Sequence, residues 1–103
     1  PKEQNVVRFW QEFEQHAHLY YPILAEGEEG EDYEWLEDLL RRRLNECCEG
    51  AEAKYELKLE YYRDPMRIVF GCNGDPVLRQ IGAWLEAHYP ASLHKKLEFA
   101  VEP

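Results

Sequence analysis

Residues 53–72 read AKYELKLEYYRDPMRIVFGC, and this stretch decides the fold. Ala53, Tyr55, Leu57, Leu59 and Tyr61 alternate with Lys54, Glu56, Lys58, Glu60 and Tyr62. A period of two puts one face of a strand in a core and the other in water. Arg63-Asp64-Pro65 reads as a turn, and residues 66–72 (MRIVFGC) form a second strand with a more continuous apolar run. So short a link makes the two strands antiparallel.

Working outward, Asn73-Gly74 breaks the second strand and Asp75-Pro76 opens a helix, with an N-cap acid before proline at the first helical position. Val77, Leu78, Ile81, Trp84, Leu85 and His88 line its apolar stripe, and Pro90 closes it. Leu97, Phe99 and Val101 then alternate with Lys96, Glu98, Ala100 and Glu102 as a third strand. Upstream of the hairpin, residues 31–48 read as a helix. Trp35 or Leu36, with Leu39, Leu40, Leu44 and Cys47, face inward, and Gly50 is the stop. A first helix begins near Asn5, with Val6, Trp10, Phe13, Ala17, Tyr20 and Leu24 on one face. Pro22 lacks a backbone donor and crowds the preceding turn, so this helix is expected to end near Tyr21.

The expected architecture is one α+β domain over residues 1–103, in the order ααββαβ, with an acidic loop at residues 26–34 between the first two helices. The second strand, third helix and third strand form a right-handed crossover with parallel strands. Placing the first strand between the other two gives the sheet order 2-1-3, with helices on one face. Trp10, Phe13, Leu36, Leu40, Leu57, Leu59, Ile68, Phe70, Ile81, Leu85 and Phe99 are the expected core.

At 103 residues and 45% apolar composition the chain suffices for one small folded domain. No apolar run reaches membrane-spanning length, and the first residues contain no signal-like apolar region. Three cysteines, two of them adjacent, do not make a secreted disulfide scaffold; reduced thiols and a cytoplasmic location are expected. A net charge of −9 argues against binding a nucleic-acid backbone. Neither a nucleic acid nor a membrane is an expected partner, and homo-oligomerisation stays open.

That charge is concentrated. Residues 26–38 hold eight acids and no base, and the remainder of the chain is nearly neutral. One reading is a solvated loop leading into a helix whose first turn favours negative charge. The other is a docking patch for a basic protein, formed by Glu28, Glu29, Glu31 and Asp32 with Tyr33 and Trp35 as aromatic anchors. The acids do not follow the ligand spacing of a calcium loop.

Elsewhere the chemistry-bearing residues are scattered. His16 and His18 are two apart on a helix and point in different directions, so they do not share a metal. Cys47, Cys48 and Cys72 lack C-x-x-C spacing, and pairing Cys72 with His88 or His94 as a nucleophile would require the fold to bring them together. No phosphate loop, dinucleotide fingerprint or nucleophile elbow occurs, and no cofactor, metal or catalytic residue is assigned. Tyr55, Tyr61 and Tyr62 with Arg67 can dress a sheet surface for binding. A pocket near Cys72, Asn73 and Asp75 is the alternative, with backbone donors at the start of the third helix able to hold an anion.

The chain resembles a group of small bacterial proteins of unknown function. The resemblance is carried by Phe9-Trp10 with Phe13, residues 67–72 with Asn73-Gly74, Tyr89-Pro90, and Leu97-Glu98-Phe99. It departs from that pattern at Leu97, where tryptophan is usual, and at Tyr89, where alanine is usual. The resemblance implies the same fold and transfers no catalytic residue. The expected function is a non-enzymatic interaction module, immunity-like or regulatory, using the acidic patch. A small-ligand or enzymatic domain with its pocket at the start of the third helix is the alternative.

Overall fold

Ile68, Val69 and Phe70 are consecutive and all buried, and the rest of the molecule is arranged around the strand that holds them. In the computed structural model, which describes residues 1–103, the order is α1 (Glu3–Glu26), α2 (Tyr33–Cys47), β1 (Glu56–Glu60), β2 (Met66–Gly71), α3 (Pro76–Ala87), a 3-10 turn (Ala91–Leu93) and β3 (Leu97–Glu102). This is the α+β order ααββαβ read from the sequence. β1 and β2 pair antiparallel, with Leu57 opposite Phe70 and Leu59 opposite Ile68. β2 and β3 pair parallel, with Ile68 beside Phe99.

The sheet order is β1-β2-β3, which corrects the expected 2-1-3. The reason lies in the strand patterns. β1 alternates exposed and buried residues, as an edge strand with one wet face does, whereas β2 buries both faces and belongs between neighbours. The single-helix crossover then returns β3 directly beside β2. On the face without helices, Lys58 pairs with Glu102 at 3.0 Å beside Val69, and Arg67 binds Glu60. The hydrogen bond from Arg67 holds the Glu60 carboxyl below its ordinary range.

α1 does not stop near Tyr21. It continues through Pro22 to Glu26, and the Gly27 N–H closes it on the Leu24 carbonyl at 3.0 Å. Proline removes one donor, that owed to the His18 carbonyl, but Tyr20 and Leu24 on either side are buried on the apolar stripe. Burying a Leu-sized side chain contributes about 1.5–3 kcal/mol, enough to outweigh the lost bond.

Tertiary contacts fix the helices. α1 and α2 run antiparallel, with Arg43 bonded to Glu12 near the middle and the Asn5 amide donating to the Glu46 carbonyl at one end. The Trp10 indole meets Tyr89 and Phe99 edge-on, at 4.9 and 5.2 Å between ring centres. The Tyr89 hydroxyl donates to the Leu97 carbonyl. α3 can lie close to β3 because residue 82 is glycine; a β-carbon there would sit 2.8 Å from Val101 Cγ1. Asp75 caps α3 as expected, accepting from the N–H groups of Val77 and Leu78 at 2.8 and 3.3 Å. All eleven expected core residues pack into the hydrophobic cluster, ten of them buried and Phe99 partly so.

Candidate functional site

Two features of opposite charge lie side by side at the end of α1. The first is the acidic turn into α2. Gly27, at φ +80°, takes the chain out of α1, and the Gly30 N–H bonds the Gly27 carbonyl at 2.9 Å. Glu26, Glu29, Glu31 and Asp32 line a shallow hollow with no apolar wall. Glu28, Glu29, Glu31 and Asp32 are all exposed. Of the eight acids in residues 26–38, only Glu37 has an ion-pair partner, Arg41 one turn further along α2 at 3.7 Å.

The two proposed aromatic anchors part company. Trp35 is 52% exposed beside the acids, while Leu36 takes the buried position next to it. Tyr33 belongs to the core: it is 9% exposed and packs edge-on against Tyr61 at 5.6 Å. It supports the turn from beneath and does not face outward.

The second feature is a cleft of about 570 Å³ between the end of α1, the link from β1 to β2, and the segment entering β3. Tyr21, Tyr61, Pro22 and Met66 form its apolar part, and Arg63, Lys95 and Lys96 bring positive charge. The Lys96 ammonium lies 5.3 Å from the Tyr21 ring centre, within cation–π range. Arg63 pairs with Glu98 at 3.2 Å; Lys95 and Lys96 have no carboxylate partner. Sequence reasoning did not find this cleft. The residues at positions 21, 61–66 and 95–96 are far apart in the chain, and the only local signal was Pro22, which leaves the His18 carbonyl without its helical donor beside the same cleft.

The alternative pocket does not form around its three named residues. Cys72 is fully buried and its thiol donates to the Leu78 carbonyl at 3.4 Å. The Asn73 amide donates to the Lys54 carbonyl, and the Asp75 carboxylate is occupied by the α3 cap and by Lys54 at 3.3 Å. A shallow hollow does include Cys72, but its other walls come from α3 and the end of β3.

The tyrosines named with Arg67 separate as well. Tyr55 is buried, stacked on Phe70, and its hydroxyl donates to Asn45 Oδ1 at 2.8 Å, tying β1 to α2. Tyr61 lines the cleft, Tyr62 is exposed, and Arg67 sits on the open sheet face.

His88 pairs with Glu3, and the His94 ring packs against Tyr89, so Cys72 has neither as a base. Burial pushes the Cys72 thiol up, and pushes those of Cys47 and Cys48 up to about 12. These thiols are poor nucleophiles near neutrality. His16 Nδ1 lies 2.9 Å from the Glu12 carbonyl, while His18 is exposed at the cleft rim; no three His, Cys, Asp or Glu side chains converge to hold a cation. No helix is long and apolar enough to cross a membrane.

The chain matches no family model, no curated protein and no solved structure.

Proposed function

We propose that this domain is a non-enzymatic interaction module, of a regulatory or immunity-like kind, that docks a basic protein on the turn between α1 and α2. The observation that supports this is the unneutralised charge at and around the turn: seven of the eight acids in residues 26–38 have no ion-pair partner within the chain, and Trp35 stands exposed beside them. Fold stability alone gives no reason to gather these charges. Like charges repel, and the helix dipole rewards an acid in the first turn by only tenths of a kcal/mol. A concentrated negative field instead accelerates encounter with a positive surface, and an exposed indole supplies the desolvated contact that slows release.

The experiment compares the wild type with a variant in which Glu28, Glu29 and Glu31 become Gln and Asp32 becomes Asn. Proteins retained from native lysate by the first but not the second are purified, and their association kinetics are followed as salt rises. Between about 0.01 and 0.15 M the screening length falls from about 30 to about 8 Å, so a steered on-rate drops steeply. The variant should keep the fold and associate at least about tenfold more slowly at low salt. Trp35→Ala should chiefly speed dissociation. Equal on-rates for variant and wild type, or retention of abundant basic proteins alone, would make the turn a solvated loop.

A further inference from the structure

The cleft beside the acidic turn calls for a ligand of a different kind. We propose that it binds a small organic anion: a planar ring held against Tyr21, Tyr61 and Met66, with its phosphate or carboxylate between Lys95, Lys96 and Arg63. This inference is independent of the docking reading of the turn.

Two properties of the cleft point to that class. Its volume, about 570 Å³, suits a small molecule, and its walls combine an apolar part with a few charged groups, as ligand pockets do. In a chain of net charge −9 with twenty-one acids, Lys95 and Lys96 face this one concavity without a carboxylate partner. Arg63 also lines the cleft, but its buried Nη1 faces Glu98 at 3.2 Å, so Arg63 adds positive charge there and no free donor. An added anion improves the surroundings of both lysines. Asp64 also lines the cleft and opposes an anion, but the cations lining it outnumber that carboxylate three to one.

The neighbourhood sets the size limit. Ala25 lines the cleft, and the next residue, Glu26, already lines the acidic hollow. A polyanion such as a nucleic acid or an acidic peptide would run from the lysines onto those carboxylates and be repelled. A compact anion stays on the positive side. The rings favour a planar partner, because an aromatic face at a pocket wall offers apolar area with little loss of conformational freedom.

The test titrates two charged probes, adenosine monophosphate and 2-naphthoate, against their uncharged counterparts adenosine and 2-naphthol, by calorimetry and amide chemical-shift mapping at low salt. At least one charged probe should saturate with shifts centred on Tyr21, Tyr61 and Lys96. Its neutral counterpart should bind at least about tenfold more weakly, the loss expected when charge-assisted hydrogen bonds go. The probe that wins identifies the headgroup. The double variant K95Q/K96Q alters two exposed side chains and should keep the wild-type melting curve while losing about tenfold or more in affinity. The proposal is overturned if neither charged probe saturates by about 5 mM, if charged and neutral forms bind equally, if the shifts map elsewhere, or if the folded double variant binds as well as the wild type. If that variant fails to fold, the comparison of charged and neutral probes on the wild type still decides.

Discussion

The ring of Tyr61 occupies the space that a β-carbon on Gly27 would need. Such a carbon would lie 2.5 Å from Tyr61 Cε1, and Gly27 also holds φ at +80°, where side chains are strained. One contact thus joins the acidic turn to the cleft, because Tyr61 lines the cleft and packs on Tyr33 under the turn.

Gly27→Ala should therefore lower stability by about 1–3 kcal/mol, through backbone strain and displacement of the ring. In a Tyr61→Ala background the clash disappears and only the strain remains. Urea denaturation of the four proteins forms a double-mutant cycle, and a coupling near zero would show that the ring yields freely.

Trp10 acts as a remote cap. Its indole N–H donates to the Leu85 carbonyl at 2.9 Å, in the last turn of α3, where the Tyr89 N–H turns instead to Glu86. Carbonyls at a helix end lack intrahelical donors, and a buried one left unpaired costs about 1–3 kcal/mol. Trp10→Phe should show that loss plus a packing term. In hydrogen exchange the effect should concentrate in α3 and spare β1.

Asp75 holds the other end of α3. Burial alone would raise its carboxyl, but hydrogen bonds from the Leu78 and Val77 N–H groups and from Lys54 lower it below its ordinary 3.8. The folded state then binds its proton less readily than the unfolded state. The associated stability is present above pH 3.8 and is lost as pH falls through the lower folded value. Asp75→Asn keeps an acceptor and should remove that acid dependence, while Asp75→Ala, which loses the cap, should lower the melting temperature at neutral pH.

The thiols give the opposite sign. Burial first pushes Cys47 and Cys48 from 9.0 up to about 12, helped by Glu46 at Cys47 and by the Cys47 thiol and Glu52 at Cys48. Unfolded thiols release protons that folded ones keep, so stability should be full below pH 9 and decline between 9 and about 12. The slope is at most about 1.4 kcal/mol per pH unit for each thiol. Cys48→Ala should flatten the decline. At pH 8 iodoacetamide should label the native protein slowly, at the rate of local opening, and label all three cysteines in denaturant.

What the sequence by itself determined was everything carried by periodicity and local chemistry. The alternation around Leu57 and Leu59, the Asp75-Pro76 helix start and the stripe from Trp10 to Leu24 name the elements, their order and the core, because each is written in neighbouring residues. The exposed acids of residues 26–32 were equally readable, since a run of charge stays in water whatever packs elsewhere. Only the tertiary structure decided the rest. Which strand is central depends on which faces the helices cover, and β2's unbroken apolar run outweighed the alternating β1. Tyr33 and Trp35 are two apart on one helix, and packing against Tyr61 buried the first while leaving the second in solvent. The cleft brings residues 21, 61–66 and 95–96 together at the ends of three different elements. Such a site has no local period, because its charges and rings meet only where the chain closes on itself.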